Sequence, residues 1–425
     1  MARGCFITRV AALFCCVCGG AQGELNDRLG PALDHPAIEY YRGPLRDPVS
    51  LLNAKLASGE ARLQFDDPAG YLRSVLSALN VPVESQIAVF SKTSFQAPRI
   101  EPANPRTIFF NDSVAVAWMR GGFIELASHD PRRGMIFYTL AQYPVDQPTF
   151  ARQTQCLSCH VSDASLGVPG MMVRSIFTAP DGRPMLIFGG SLVDHRTPMA
   201  ERWGGYYATG VKGSMRHMGN AMLSGDDPRA MVTPATLRVE SLAARFDTRN
   251  YLSAYSDAAA LLVFDHQMHM QNLMTRVGWE ARAAAPDARE KKELLREAAE
   301  EFVDYLLFVD EAPLASDTNG AAISSVFAKA FAARGPRDRK GRSLRDLDLR
   351  TRLLRYPCSY MIYSPAFDEL PAEAKEAIYE RTWRVLSDPV SGPRYARITS
   401  ADRRAILEIL IDTKKDLPGY FHVVG

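Results

Sequence analysis

Thr107-Ile108-Phe109-Phe110-Asn111-Asp112-Ser113-Val114-Ala115-Val116-Ala117-Trp118 sets two runs of β-branched, aromatic and small apolar residues on either side of Asn111-Asp112. Strand-favouring runs split by a turn pair read as neighbouring antiparallel strands. Three further runs extend the pattern: Ile87-Ala88-Val89-Phe90, Phe123-Ile124-Glu125-Leu126 and Met135-Ile136-Phe137-Tyr138, punctuated by Gly121-Gly122 and Asp130-Pro131. Residues 85–142 therefore predict an antiparallel sheet.

The periodicity changes on both sides of that region. Upstream, residues 24–84 read as a helical lead-in. Asp47-Pro48 is an N-cap followed by a proline at the first helical position, and Leu51, Leu52, Lys55 and Leu56 follow at helical spacing. Asp67-Pro68 repeats the device before Tyr71, Leu72, Val75, Leu76 and Leu79, in a helix expected to stop near Asn80, ahead of Pro82. Downstream, Met172–Phe177 and Met185–Phe188 flank Asp181-Gly182 and predict a hairpin. A polar, glycine-rich stretch with aromatics follows. From about residue 251 to 425 the chain reads helical, with segments expected at 257–277, 287–309, 319–333, 371–386 and 400–415. The fold class expected is α+β: N-terminal helices, a β-rich region over 85–250, and a mainly helical C-terminal half.

Within the β-rich region stands Gln155-Cys156-Leu157-Ser158-Cys159-His160-Val161. Cys-x-x-Cys-His is the attachment signature of a c-type haem. Thiols three positions apart can each form a thioether with one haem vinyl group, and the next histidine can place its imidazole on the iron as the proximal ligand. The competing readings are a Cys156–Cys159 disulfide or half of a zinc site. Zinc needs further ligands at regular spacing, and the chain has no second Cys-x-x-Cys.

The N-terminus agrees with that chemistry. Arg3 and Arg9, the apolar run Val10 to Cys18 and the small residues Ala21-Gln22-Gly23 read as a secretory signal peptide over 1–23. A lipoprotein signal through Cys16 or Cys18 is the alternative. The whole chain carries a formal charge of +2, and removing residues 1–23, with two arginines and no acids, brings it to zero. Nothing in this balance points to a nucleic-acid partner. No later segment is apolar enough to span a bilayer. Four of the seven cysteines fall within 1–23, which leaves Cys156, Cys159 and Cys358; the last is expected to be a buried free thiol. Haem c is attached outside the bacterial cytoplasm, so the location expected is periplasmic or secreted.

Function turns on the sixth iron position. His266 and His269 share a helical face with Leu262 and Leu273, so both imidazoles are expected to point inward. They are candidate distal ligands, or core histidines bonded to their neighbours, or, with Asp265, a separate metal site. His217 and Met218, beside Arg216 in a glycine-flanked loop, are the other main candidates; His195 is a weaker one, and a five-coordinate iron is the remaining option. Arg174, Arg196, Arg202 and Arg216 are candidate propionate partners. Arg334 to Arg355 carries nine basic residues against three acids, which reads either as a solvated face or as a docking patch for an acidic redox partner.

The phrases Phe90-Ser91-Lys92-Thr93-Ser94-Phe95, Phe109-Phe110-Asn111-Asp112, Cys156-Leu157-Ser158-Cys159-His160, Gly167-Val168-Pro169-Gly170, Arg202-Trp203-Gly204-Gly205-Tyr206-Tyr207, Arg216-His217-Met218-Gly219-Asn220 and Arg355-Tyr356-Pro357-Cys358-Ser359-Tyr360 together resemble large exported bacterial proteins with one c-type haem motif, the cytochrome c domain proteins. The resemblance covers most of the chain after residue 23. It implies covalent haem, electron transfer and a redox partner protein, with Cys156, Cys159 and His160 as the haem residues; it implies no substrate. The chain departs from a small soluble cytochrome c in having 265 residues after the motif. It departs from the bacterial di-haem peroxidases in lacking their second Cys-x-x-Cys-His. Three functions are therefore expected in order: a periplasmic mono-haem c-type cytochrome, a peroxidase-like haem oxidoreductase with an open distal site, and a haem-bearing sensor or docking subunit.

Overall fold

The computed structural model describes residues 33–213, 215–223, 238–283, 288–314, 323–388 and 392–423. The signal peptide expected at 1–23, the start of the lead-in and residues 319–322 of one expected helix lie outside them. The architecture is α+β, with nine α-helices and a seven-stranded antiparallel sheet among the described residues.

The lead-in supplies α1 (Pro48–Ser58) and α2 (Leu72–Ala78). Asp47 caps α1, its carboxylate accepting the Val49 and Ser50 N–H groups at 3.0 and 3.1 Å. The second expected cap does not form. Asp66 and Gly70 exchange backbone hydrogen bonds in a tight turn, Gly70 stands at φ +62°, and α2 starts after Tyr71 without a side-chain cap. The chain reverses at Gly70 before a helix can propagate from Pro68.

The sheet is built from β1 (Ile87–Val89), β2 (Arg106–Phe110), β3 (Val114–Trp118), β4 (Ile124–Asp130), β5 (Gly134–Leu140) and β6 (Ala151–Arg152), with β9 (Tyr206–Tyr207) on β1, in the order β6-β5-β4-β3-β2-β1-β9. Every pairing is antiparallel, as the five runs predict for β1 to β5, and β6 and β9 add two short strands from outside the 85–142 region. Register sorts the side chains onto two faces. One face carries Val116, Leu126, Ser128 and Tyr138. The lead-in covers it: Tyr138 donates its hydroxyl to Asp47 at 2.8 Å, and Val49 N–H reaches Ser128 Oγ at 3.3 Å. The other face carries Arg106, Ile108, Phe110, Ala115, Ala117, Glu125, Ala127, His129 and Phe137.

That second face meets α4 (Ala258–Ala283), which is apolar on nearly every side and lies in the middle of the molecule. Phe110 packs on Phe264 at 5.0 Å, and His129 Nε2 lies 3.0 Å from Thr275 Oγ1. Beyond α4 come α5 (Ala288–Leu306), α6 (Phe327–Ala333), α7 (Pro365–Asp368), α8 (Ala372–Ser387) and α9 (Ser400–Thr413). α5, α8 and α9 follow the expected segments closely; α4 runs six residues past 277, α6 starts at Phe327 with residues 323–326 non-helical, and α7 falls in no expected segment. One continuous cluster of buried side chains runs from α1 through the sheet to α9. No helix among the described residues is long and apolar enough to cross a membrane.

The hairpin after the motif is shifted from its expected position. Its strands are β7 (Val173–Ile176) and β8 (Gly190–Val193), in the register Arg174↔Leu192 and Ile176↔Gly190. Met185–Phe188 forms a 3-10 turn instead of the second strand. Near the turn the pairing is a single bridge, Thr178↔Pro184, with Met185 N–H on Phe177 O at 2.8 Å. The regular second strand starts at Gly190, which fits beside Ser175 O, where a β-carbon would come to 2.9 Å.

Candidate functional site

The haem motif forms a single helical turn, α3 (Leu157–His160), directly after the edge strand β6. Leu157 is buried and anchors the turn, while Cys156 is half-buried and Cys159 exposed, both as free thiols. His160 N–H bonds Cys156 O at 3.0 Å, so both thiols and the imidazole project from one turn. Burial, then the Glu125 charge, push the Cys156 thiol up to about 11.

His160 is fixed on two sides. Its ring packs on Phe137 of β5 with centroids 4.7 Å apart. Its Nδ1 lies 2.8 Å from Gly170 O, while Gly170 N–H bonds His160 O at 3.0 Å. A carbonyl is only an acceptor, so Nδ1 carries the proton and Nε2 keeps its lone pair. Proximal histidines are held in this way: the outer nitrogen donates to a carbonyl or carboxylate, which sets the tautomer and makes the inner nitrogen a better ligand. Burial lowers the His160 pKa, which keeps the ring neutral. Gly170 is held in turn by α4. Asn272, 1% exposed, accepts Met171 N–H at 3.1 Å and donates to Met171 O at 2.7 Å.

The sheet face beside His160 carries Ala115, Ala117 and Ala127, all three buried in the core. Arg106 and Glu125 form an ion pair at 2.9 Å on the same face. Arg106, Glu125 and Arg174 act on His160 electrostatically. Two free thiols and an imidazole whose outer nitrogen is held by a carbonyl are the donor set that a covalently bound haem would need, and Cys156, Cys159 and His160 fit it.

The candidate distal groups are placed as follows. His266 is fully buried and engaged at both nitrogens: Nδ1 faces His195 Nδ1 at 2.8 Å, and Nε2 faces Ser359 Oγ at 2.7 Å. One proton is shared between the facing Nδ1 atoms. Tyr305 and Phe308 stack on both rings, and burial lowers His266 to about 3 and His195 well below its ordinary value. His269 is half-buried beside Tyr305, with Arg196 at 3.4 Å. Asp265 turns instead to Trp203 Nε1 at 3.0 Å and Arg202 at 3.6 Å, so it does not converge with the two histidines, and no group of three metal-ligating side chains occurs among the described residues. His217 is fully buried against Trp203, its ring beside the Gly219 backbone, and neither ring nitrogen meets a well-aligned hydrogen-bond partner among the described residues. Met218 Sδ receives Ser175 Oγ–H at 3.6 Å.

Of the arginines read as propionate partners, Arg196 is paired with Asp194 and Arg202 is buried between Asp265 and the His195 carbonyl. Arg174 is the one that acts on His160. Six of the nine cations between Arg334 and Arg355 are in ion pairs, among them Arg339 with Asp412, Lys340 with Glu408, Arg342 with Asp338 and Arg352 with Asp402. The run stitches its loop to α9 more than it presents free charge.

Gly170, Asn272, Phe137, Arg106 and Glu125 carry much of the site, and sequence reasoning assigned them no role there. Only Arg106, a cation opening an apolar strand, left a local signal. Trp203 is a further surprise. It sits at φ +71°, a strained conformation for an aromatic residue, and is held by its bond to Asp265.

No protein-family model, no curated protein and no solved structure matches this chain.

Proposed function

We propose that this protein is a mono-haem c-type cytochrome that transfers electrons, carrying one haem on thioethers from Cys156 and Cys159 with His160 as the proximal ligand. The observation that supports it best is the His160 imidazole, projecting from the same turn as two free thiols with Nδ1 held by Gly170 O and Nε2 left as a donor. The bound group would supply the one-electron couple. The chain's own residues orient the ligand through Gly170 and Asn272, limit water beside it, and set the local charge through Arg106, Glu125 and Arg174. The export signal expected at 1–23 supports an activity in the periplasm or outside the cell, where a redox partner protein would dock.

A second reading, a haem oxidoreductase with an exchangeable sixth position, draws on the same geometry. His266 would have to give up one of its two hydrogen bonds to offer a nitrogen to iron, and Met218 its one. His217, and His195 through its Nε2, could offer a nitrogen without such a loss. Oxidised and reduced spectra with and without carbon monoxide and cyanide separate the two readings. A low-spin spectrum indifferent to both ligands is the expected result for the carrier. High-spin iron that binds both would replace it with the oxidoreductase.

A further inference from the structure

Two hollows of about 570 and 610 Å³ open between α6 and α9, and Leu347, Arg355 and Tyr356 line both. Sites for small molecules have volumes in this range. The charges around them fall into two groups. The acids that line the hollows are all engaged. Asp346 pairs with Arg337 at 3.0 Å, Asp402 pairs with Arg352 at 2.9 Å, and Asp348 takes the backbone N–H groups of Arg350 and Thr351 at 2.9 and 2.8 Å. Arg342, a cation of the first hollow, is closed on Asp338 at 2.6 Å. Lys329 and Arg355 are the cations left over there. Both are exposed, and neither meets a carboxylate among the described residues.

Arg355 is held by its backbone and not by its side chain. Its N–H donates to Asp346 O at 2.8 Å, and its carbonyl accepts from Arg352 Nη2 at 2.6 Å. Its guanidinium lies 5.8 Å from the Tyr356 ring centroid. Contact with an aromatic face leaves the planar fork of N–H donors unspent. Lys329 comes from α6, and Leu347 and Leu349 line the same hollow. Two uncommitted cations from separate elements and an apolar lining suit an anion with two charged ends and an apolar middle.

We infer that the first hollow binds a small dicarboxylate, one carboxylate on the Arg355 fork and the other on Lys329, with its methylene chain against Leu347 and Leu349. Arginine takes a carboxylate through two parallel donors, whereas lysine acts as a point charge. Inorganic phosphate is the competing dianion, but it gathers its charge on one small group and has nothing to set against the leucines.

The test is calorimetric titration of the full chain with glutarate, butyrate and inorganic phosphate, at low and at high salt. Wild type is compared with Arg355→Gln, Arg355→Lys, Lys329→Gln and Lys415→Gln. Lys415 is an exposed cation that lines neither hollow, so its variant makes the same change of charge elsewhere. Lys329 and Arg355 hold no ion pair, so every variant should keep the wild-type urea midpoint. Glutarate should bind at one site per chain, more weakly as salt rises. Arg355→Gln should weaken it by about tenfold or more and Arg355→Lys by less, Lys329→Gln by about threefold, and Lys415→Gln by under about twofold. Butyrate, with no second carboxylate, should bind wild type and Lys329→Gln alike. Absence of saturable glutarate binding, or an affinity unchanged in Arg355→Gln, overturns the inference. An equal loss in Lys415→Gln and Arg355→Gln also overturns it, because that is the signature of net charge alone. Phosphate that binds more tightly than glutarate and is lost in Arg355→Gln replaces the dicarboxylate with a phosphate site. The titration requires no haem, so either outcome leaves the haem reading to its own tests.

Discussion

Gly170→Ala is the substitution that probes how the fold aims His160. Gly170 has an ordinary φ, so alanine is not excluded by the backbone. Its new β-carbon is excluded by neighbours: it would lie 2.2 Å from Asn272 Oδ1, 2.8 Å from Asn272 Cγ and 3.1 Å from Ser165 Cβ. Asn272 is buried on α4 and cannot swing into solvent, so it must give up its bonds to Met171 N–H and Met171 O. Each is worth about 0.5–1.5 kcal/mol net, and leaving a buried amide partly unmet adds about 1–3 kcal/mol. The expected loss of stability is about 2–4 kcal/mol by urea unfolding followed by circular dichroism. Asn272→Ala alone should cost about as much. The double variant should cost clearly less than the two singles together, because the alanine methyl then occupies the space the amide has vacated. In the haem-bearing protein, Gly170→Ala should also raise the midpoint potential, since a looser Nδ1 bond makes the imidazole a weaker donor to ferric iron. Additive losses, or a Gly170→Ala variant as stable as wild type, would refute the reasoning that Asn272 buttresses the loop behind the proximal histidine.

Burial pushes Asp265 up to about 7 against the pull of Arg202, from an ordinary 3.8. The folded chain thus holds a proton there that the unfolded chain releases, and wild type loses stability as pH rises between those values. Asp265→Asn lacks this penalty, so its stability relative to wild type should improve by about 1.4 kcal/mol per pH unit, or about 3 kcal/mol between pH 5 and pH 8; a constant or opposite difference would mean that the Arg202 pair keeps the carboxylate ionised. His129 and His217, lowered to about 4 by burial, have the opposite sign: His129→Gln and His217→Gln should each soften the loss of stability seen as pH falls from about 6.5 towards 4. Asp47→Ala removes two cap bonds and strands the buried Tyr138 hydroxyl, for an expected cost of about 2–4 kcal/mol with an unchanged haem spectrum. His266→Gln should destabilise by about 2–3 kcal/mol through loss of the His195 and Ser359 contacts and leave the ferric spectrum unaltered; a change of spin state would instead make His266 the sixth ligand.

The sheet was legible because its strands are consecutive antiparallel neighbours, so each pairing is announced by a local pattern such as Phe109-Phe110-Asn111-Asp112. The C-terminal helices were legible from spacing for the same local reason. The hairpin was misplaced where Met185–Phe188 looked like a strand. What decides its second strand is the fit of Gly190 against Ser175, a contact invisible in the run itself. The motif could be read from five residues, but its support could not. Gly170 and Asn272 reach His160 through a contact between residues 101 apart, and no short pattern records such a contact. The inward turn of His266 followed from helical spacing, whereas its partners His195 and Ser359 come from 71 and 93 residues away. The neutralisation of the basic run was not legible for a related reason: its counter-charges Asp402, Glu408 and Asp412 sit on α9 and meet it only in three dimensions.

The central claim is tested most directly by the mass and absorbance of the denatured protein after expression with haem-attachment machinery. The account predicts that wild type gains the mass of one haem and keeps its absorbance through acid denaturation and organic extraction, and that Cys156→Ala/Cys159→Ala gains none. Wild-type protein that matures in the same cells as a control cytochrome, yet retains no haem after extraction, would contradict it.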